Sequence, residues 1–268
     1  MTDTQKRLRV FSSGGGVQST AALVLAAQGR IDFPTFLFAN VGDDSENPKT
    51  MEYLDEYARP FAAEHGIDLI ELTRVMRSGE TRTLRQEIVG QPRTVPIPVR
   101  LVGGGFGRRR CTDRFKIRVV GKWTRDHGAT PEFPAVVGIG FSTDEFERAT
   151  SATDLPWQAK TYPLLDLHIS RRDCERIIRD AGLPQPPKSA CTFCPFHSVE
   201  DWRRQAREDP AVFADSVAME AMLNERRVAL GKDRAWFSSV MGPLSTVLDQ
   251  GDLFSDAEIT CDAGSCFT

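Results

Sequence analysis

The chain has 268 residues but only four histidines and three tyrosines, and it lacks any apolar stretch of 18 residues. A helix that crosses a bilayer needs about 20 mostly apolar residues, so the sequence predicts no membrane contact. Its first residues are polar and lack the apolar core of a signal peptide, which predicts a cytoplasmic protein. The net charge of −3 excludes a polycation that binds nucleic acid through its overall charge.

Two common phosphate-binding motifs are also absent. The glycine-rich residues 12–20, Ser-Ser-Gly-Gly-Gly-Val-Gln-Ser-Thr, have neither the lysine of a Walker loop nor the spacing of a dinucleotide fingerprint. They do follow an apolar run at residues 8–11 and precede a helical pattern at 21–27. A strand, a glycine loop and a helix N-terminus in this order can hold a phosphate through backbone amides and the helix dipole. This segment therefore predicts an anion site.

Strand and helix patterns alternate along the chain. The strand patterns cover residues 8–11, 33–41, 67–72 and 135–140. Helical patterns follow at residues 48–65, 117–127, 170–181, from Ser198 onward, and at 211–230. Alternation of this kind predicts an α/β fold with a doubly wound, mostly parallel sheet, whose ligands collect at the carboxyl ends of the strands. Residues 77–110, rich in proline and glycine, are expected to form an irregular loop.

Cysteines form the second informative pattern. In a cytoplasmic protein, six cysteines indicate thiols, metal ligands or redox groups rather than structural disulfides. Cys191 and Cys194 are spaced so that two thiolates can reach one metal ion or cluster. Cys111 lies in a basic run, where positive charge favours the thiolate form. Cys174 shares a helix face with apolar residues and is expected in the core.

The order of these motifs resembles the phosphoadenylyl-sulfate reductase family of the PP-loop ATP pyrophosphatase superfamily, and its nucleic-acid-thiolating relatives. The matching segments are residues 11–20, 38–44, 110–116, 138–148, 162–166 and 191–195. Gly15, Gly16 and Ser19 match the pyrophosphate loop in register. Gly14 stands where that motif has a serine, and Gln18 replaces its aspartate.

The resemblance implies a nucleotide site and a division of the chain. The nucleotide, ATP with Mg²⁺ or phosphoadenylyl sulfate, would be bound by Ser13, Gly14, Gly15, Gly16, Gln18, Ser19, Thr20, Asp43, Asp44, Arg110 and Lys116. Arg148 would face the phosphates as a catalytic residue. A solvated acidic turn is the other interpretation of Asp43 and Asp44. We expect residues 1–197 to form the nucleotide-binding domain with the cysteine site, and 198–268 a helical extension.

The cysteines would then hold a cluster. Cluster-bearing reductases have a Cys-Cys pair that, with Cys-x-x-Cys, gives four ligands to a [4Fe-4S] cluster, whereas here Thr112 replaces the second cysteine. The remaining ligands, Cys111, Cys191 and Cys194, would leave one iron open, a state that the resemblance associates with tRNA-thiolating relatives. Zn²⁺ is the alternative metal. His197 is a further candidate ligand, although a surface or packing role is the favoured interpretation of this residue.

Cys261 and Cys266 lie in the last eight residues. The reductases carry a catalytic cysteine on a C-terminal tail, but their Glu-Cys-Gly-Leu/Ile-His ending is absent here. We expect either a functional tail, with Cys266 as a fourth metal ligand or with both thiols as sulfur carriers, or two incidental thiols.

Three functions remain open. The first is ATP-dependent adenylylation of an acceptor followed by sulfur transfer. The second is reduction of adenylyl sulfate or phosphoadenylyl sulfate to sulfite, and the third is nucleotide sensing by a non-catalytic, zinc-stapled protein. The expected partners are the nucleotide, a sulfur donor protein or thiol reductant, a nucleic-acid acceptor at the basic residues 100–116 and, as one assembly, a second copy of the chain.

Overall fold

The fold is described from a computed structural model, which places residues 7–90, 93–149 and 155–248. The main sheet contains β1 (Arg9–Ser13), β2 (Thr35–Asn40), β3 (Asp68–Thr73), β5 (Ala135–Ile139) and β6 (Gln158–Thr161). A small antiparallel sheet pairs β4 (Arg100–Leu101) with β7 (Ala235–Trp236).

All neighbouring strands of the main sheet are parallel, in the order β3-β2-β1-β5-β6. The predicted α/β fold with a doubly wound, mostly parallel sheet is confirmed. Its β6 was not predicted, because the sequence Gln-Ala-Lys-Thr has little apolar character. A strand at the edge of a sheet is only partly covered and does not need a continuous apolar run.

Helices connect the strands and form the C-terminal part of the described chain. They are α1 (Val17–Ala27), α2 (Pro48–Tyr53), α3 (Arg59–Glu64), α4 (Leu84–Gly90), α5 (Arg110–Thr112), α6 (Arg118–Asp126), α7 (Pro163–Asp166), α8 (Arg171–Asp180), α9 (Val199–Glu208) and α10 (Pro210–Ala229). Two π-helical turns, Leu54–Ala58 and Asp113–Ile117, join α2 to α3 and α5 to α6. Two 3₁₀ segments cover Thr143–Arg148 and Leu244–Leu248.

The expectation that residues 77–110 are wholly irregular is wrong. Helix α4 and the short strand β4 lie within this range. Leu84 and Ile88 are buried on α4, four positions apart, so one turn of helix brings both into the core. The flanking glycines and prolines conceal this short helix in the sequence.

Two apolar clusters form most of the core. The first lies between the sheet and helices α1 and α8, and it includes Phe11, Phe36 and the fully buried Cys174, as predicted for that cysteine. The second includes Phe115, Phe193 and Trp202. It therefore joins the chain before residue 197 to the C-terminal helices, and the domain boundary at that residue stays a prediction.

Helix α9 begins as the sequence predicts. The Ser198 hydroxyl accepts a hydrogen bond from the Asp201 amide at 3.1 Å, and the Asp201 carboxylate accepts from the Ser198 amide at 2.9 Å. This reciprocal capping box satisfies two amides that the helix itself leaves unpaired. None of the described helices is both long and apolar enough to span a bilayer.

Candidate functional site

The glycine-rich loop connects β1 to α1 at the carboxyl end of β1. The strand order reverses between β1 and β5, and ligands of doubly wound sheets bind at such a point. Gly16 is the N-cap of α1, and no side chain among the described residues caps this helix. The amides of the first turn therefore lack partners within the helix, and the helix dipole adds positive potential. This arrangement suits a phosphate group.

Contacts within and around the loop fix its shape. The Gly14 amide donates to the Ser19 hydroxyl at 2.9 Å, while the Ser189 hydroxyl donates to the Gly14 carbonyl. Gly15 has a φ of +75°, and a Cβ there would lie 2.9 Å from the Thr50 methyl carbon. Glycine is required at this position because both the backbone angle and the space exclude a side chain.

Ser13 and Thr20, also predicted for the nucleotide site, are buried. The Gly15 amide donates to the Ser13 hydroxyl at 3.4 Å, and the Thr20 hydroxyl hydrogen bonds to Tyr53. Both side chains therefore stabilise the loop on the side that faces the protein interior.

Gln18 contacts a carboxylate far away in the sequence. Its amide Nε2 donates to Glu145 Oε2 at 3.2 Å, and Arg148 Nη1 donates to Glu145 Oε1 at 3.0 Å. The Arg148 guanidinium also lies 4.8 Å from the centre of the Phe141 ring. The first turn of α1 is thus connected through Glu145 to Arg148, which the resemblance places at the phosphates.

Glu145 is 6% exposed. Burial raises the pKa of its carboxyl to about 7, against the opposing influence of Arg148 and, more weakly, Arg171. A buried carboxyl with a raised pKa beside a binding loop is a common property of functional sites. Nothing in the local sequence indicates this contact, because 127 positions separate Glu145 from Gln18.

Asp43 and Asp44 are exposed in the turn after β2. Asp43 Oδ1 accepts from Asn40 Nδ2 at 2.8 Å, and Asp44 Oδ2 accepts from the Thr83 hydroxyl at 2.9 Å. These bonds hold the turn, and the binding role of the two aspartates stays a prediction.

Sequence reasoning missed Glu46 in the same turn. Its side chain is buried, and burial raises the pKa of the carboxyl despite the opposing charge of Lys116. Lys116, predicted for the nucleotide site, therefore lies near Glu46. Nothing in the local sequence distinguishes Glu46 from the exposed acids that precede it.

Cys191 and Cys194 lie in one tight turn. The Cys194 amide donates to the Cys191 carbonyl at 3.1 Å. Cys194 is buried and Cys191 is half-buried. Pro195 and Phe196 continue the turn as buried residues.

Cys111 is half-buried in α5, and its amide donates to the Pro96 carbonyl at 2.8 Å. Cys111 and Cys191 pack against the same apolar cluster. The Arg109 guanidinium, two residues before Cys111, lies 4.9 Å from the centre of the Phe196 ring. The fold therefore brings the two cysteine segments to one region.

The turn with Cys191 also contacts both predicted nucleotide-binding segments. Ser189, two residues before Cys191, contacts the loop through the Gly14 carbonyl. The Thr192 amide donates to the Ser45 carbonyl at 2.9 Å, in the acidic turn. The cysteine turn is therefore joined to the glycine-rich loop and to the acidic turn through its neighbouring residues.

The thiols have the right chemistry for an iron–sulfur cluster or Zn²⁺. Within the described ranges, however, no three side chains of histidine, cysteine, aspartate or glutamate are placed together as metal ligands. The set Cys111, Cys191 and Cys194 as ligands of a cluster or a zinc ion stays a prediction. Cys261 and Cys266 lie outside the described residues.

His197 is buried beside the cysteine turn. Its Nε2 lies 2.9 Å from the Cys191 carbonyl, so this nitrogen carries the proton, and its ring stacks on Trp202 at 4.7 Å. Burial lowers the pKa of His197 to about 4, which keeps the ring neutral. The Nδ1 atom has no hydrogen-bond partner among the described residues. The ring borders a cavity of about 420 Å³.

Several residues of the basic segment have structural contacts. Arg114 and Arg74 both pair with the buried Glu87. Arg108 is exposed, and the half-buried Arg110 begins α5. A groove of about 700 Å³ next to this segment is lined in part by Arg74, Arg77, Arg114, Arg118, Lys122 and Trp123.

No protein-family profile and no curated protein matches the chain. Among solved structures, it is similar to phosphoadenylyl-sulfate reductase from Candida auris in a phosphate complex, with a TM-score of 0.42 and 11% identity over 68% of this chain and 76% of that one. It is also similar to the U34-tRNA thiolase NcsA from Methanococcus maripaludis with its [4Fe-4S] cluster. The TM-score is 0.41 and the identity 14%, over 83% of this chain and 74% of that one.

Proposed function

We propose that the chain is a PP-loop enzyme that binds ATP, adenylylates an acceptor and passes sulfur to it. One observation carries this proposal: Ser189 contacts the anion-binding loop at Gly14, and Thr192, beside Cys191, contacts the acidic turn at Ser45. Thiols then lie next to the place where phosphates would bind. The glycine-rich loop without the neighbouring cysteines would support nucleotide binding but not sulfur transfer.

The first step would be adenylylation. An oxygen of the acceptor attacks the α-phosphorus of ATP, and the bond from that phosphorus to the pyrophosphate oxygen breaks. The amides from Gly14 to Ser19 would stabilise the charge that develops on the leaving pyrophosphate. Arg148 would add a fixed positive charge, because Glu145 and the Phe141 ring hold its guanidinium.

Sulfur transfer would follow. A sulfur donor protein would first load a cysteine as its persulfide. The terminal sulfur of this persulfide attacks the acceptor carbon that bears the adenylylated oxygen, and AMP leaves with that oxygen. A second thiolate then attacks the cysteine sulfur of the resulting disulfide, which releases the thiolated product and leaves a protein disulfide. A thiol reductant restores both cysteines. Cys191 and Cys194, which lie in one turn, would take these two roles, and the tail cysteines are alternative carriers.

The acceptor would approach from the basic side. The exposed Arg108 and the groove beside α6 carry arginines, which recognise phosphates through forked hydrogen bonds. This supports a nucleic-acid acceptor. The pairing of Arg74 and Arg114 with Glu87 reduces the charge that the groove presents.

One observation favours a second function, sulfonucleotide reduction. Cys111 is half-buried at the start of α5 among arginines, a setting that favours the thiolate. This thiolate would attack the sulfur of adenylyl sulfate and displace the nucleotide, which forms a cysteine thiosulfonate. A second thiol would then release sulfite and form a disulfide.

The experiment gives anaerobically purified protein ATP, adenylyl sulfate or phosphoadenylyl sulfate, each with a thiol reductant, and identifies the products by mass spectrometry. In the ATP reaction, a small-molecule persulfide supplies sulfur at the oxidation level of the proposed donor, and a mixture of unmodified tRNA and DNA supplies the acceptors. Pyrophosphate, AMP and a thiolated nucleic acid support the first function. Sulfite from a sulfonucleotide supports the second. Nucleotide binding without any product would overturn both and leave a sensor.

A further inference from the structure

Two consecutive carbonyl groups of the cysteine turn are held by side chains that follow it in the chain. The Cys191 carbonyl accepts a hydrogen bond from His197 Nε2 at 2.9 Å, and the Thr192 carbonyl accepts from Gln205 Nε2 at 3.0 Å. The Ser216 hydroxyl also lies 3.3 Å from the Thr192 carbonyl, but its single proton is within reach of a carbonyl of its own helix at 3.0 Å. Gln205 is therefore the main donor to Thr192.

These two side chains are unfavourable choices for a buried position. His197 is 8% exposed and Gln205 is half-buried. Their hydrogen bonds to the carbonyls fix which atoms donate, so His197 Nδ1 and Gln205 Oε1 are acceptors. Both atoms are buried and have no hydrogen-bond donor in the part of the chain that the structure describes. An apolar side chain of similar shape would avoid the free-energy cost of burying such an acceptor.

The turn that they hold suits a disulfide. The Cys194 amide donates to the Cys191 carbonyl, three positions earlier, at 3.1 Å. In a turn closed by such a bond the first and last Cα atoms lie within about 7 Å, and disulfides join Cα atoms about 4.4–6.8 Å apart. A turn whose backbone is already fixed loses less conformational entropy when its two sulfurs join, so the disulfide forms more readily.

Both polar side chains thus have one effect in common, since each donates to the backbone of the cysteine turn. Residues that depart from the rules of core packing are expected mainly at functional sites. We propose that His197 and Gln205 are positioning residues, which hold this turn in the geometry in which the thiols of Cys191 and Cys194 form a disulfide. This inference rests on the proposed sulfur transfer, whose last steps form and reduce a disulfide within the protein.

The test equilibrates the full-length protein with mixtures of reduced and oxidised dithiothreitol. When the disulfide forms, Cys191 and Cys194 lose two electrons and two protons to oxidised dithiothreitol, which becomes the dithiol. The remaining thiols are alkylated, and mass spectrometry of the peptide that contains both cysteines gives the oxidised fraction separately from the tail cysteines. The thermal unfolding temperature of each protein is measured in parallel.

Gln205→Met separates positioning from support of the fold. It removes the donor to Thr192 and the buried acceptor together, so the unfolding temperature should change little. Formation of the disulfide should become less favourable by about fivefold, which corresponds to about 1 kcal/mol. His197→Leu should shift the disulfide equilibrium in the same direction. His197→Gln keeps an N–H donor for the Cys191 carbonyl and should resemble the wild type.

Asn224→Ala is the matched control. Asn224 is a buried carboxamide that donates to the Ala235 carbonyl at 2.9 Å, outside the cysteine turn. This variant should lower the unfolding temperature and leave the disulfide equilibrium unchanged. An equal shift of the disulfide equilibrium in Asn224→Ala and Gln205→Met would show that the effect is a general loss of stability, and it would overturn the inference.

The remaining outcomes are also decisive. An unchanged disulfide equilibrium in Gln205→Met or His197→Leu, or a wild type that forms no disulfide between Cys191 and Cys194, would overturn the inference. If the equilibrium shifts as expected but the wild type makes no thiolated product with ATP, the positioning role stands and the proposed sulfur transfer fails.

Discussion

The hydroxyl of Ser189 donates a hydrogen bond to the carbonyl of Gly14, 175 positions earlier in the chain. This bond joins the segment that leads to Cys191 to the loop that would hold phosphates. A displacement of either segment would therefore also displace the other.

Replacing Ser189 with alanine should therefore affect binding more than stability. We expect a loss of about 1 kcal/mol in the free energy of unfolding, as for one hydrogen bond, together with weaker ATP binding. Urea unfolding and calorimetry measure the two effects. Ser198→Ala is the matched control, because it removes the cap of α9 at a cost of about 1 kcal/mol without touching the loop. Equal ATP affinities in the two variants would contradict the role of Ser189.

Gly15→Ala should destabilise the protein and impair nucleotide binding. The positive φ costs about 1–2 kcal/mol for an L-residue. The added methyl would also press on Thr50 and Phe38. Gly29→Ala controls for the backbone angle alone, since Gly29 has a φ of +69° with open space around it. Chemical denaturation should show a clearly larger loss for Gly15→Ala, and similar losses would refute the packing argument.

Cys194→Ala should abolish sulfur transfer, and Ser19→Ala should do the same by disturbing the loop. Cys174→Ala is the control: Cys174 is fully buried, and burial raises the pKa of its thiol to about 12, so it is chemically inert. This control should lose some stability and retain turnover. Product analysis by mass spectrometry distinguishes the three variants. Retained sulfur transfer in Cys194→Ala or Ser19→Ala would refute the mechanism.

The stability of the protein should fall in acid partly through Asp201. Burial by itself would raise the pKa of the Asp201 carboxyl, but hydrogen bonds from Lys188 and Ser198 outweigh burial and lower the pKa. A lowered pKa gives stability that is present above the unfolded value of about 3.9 and is lost as the pH falls below it.

Asp201→Asn should accordingly cost about 1–3 kcal/mol at pH 7, and the difference from wild type should shrink below about pH 4. Urea unfolding at a series of pH values measures this. Glu200→Gln, on the exposed side of the same helix, should change stability little at any of them. A constant difference between Asp201→Asn and wild type across the range would show that the charge is not responsible.

The sequence predicted four of the five described strands of the main sheet, because those four contain apolar runs and are bounded by turn residues. The pattern Phe36, Leu37 and Phe38 is fully buried in β2, as an uninterrupted apolar run indicates. The capping box at the start of α9 can also be identified in the sequence, since Ser198 and Asp201 are only three positions apart. Local patterns such as these depend on neighbouring residues only.

The contacts that matter most in the candidate site are not local. Gln18 meets Glu145 across 127 positions, and neither residue has a neighbour that indicates the contact. Glu46 looks like any acidic turn residue until the fold buries it. Helix α4 was missed for a different reason: its seven residues are too few to establish a period against the surrounding glycines and prolines.

The π-helical turn Asp113–Ile117 affects the direction in which the Cys111 side chain leaves the helix. It inserts one residue into an otherwise continuous helix from Arg110 to Asp126. One residue of α-helix corresponds to a rotation of about 100°. Deleting one residue from this turn would keep the helix but rotate the turn that carries Cys111 about the helix axis. The direction of the Cys111 thiol therefore depends on the number of residues in this segment as well as on their identity.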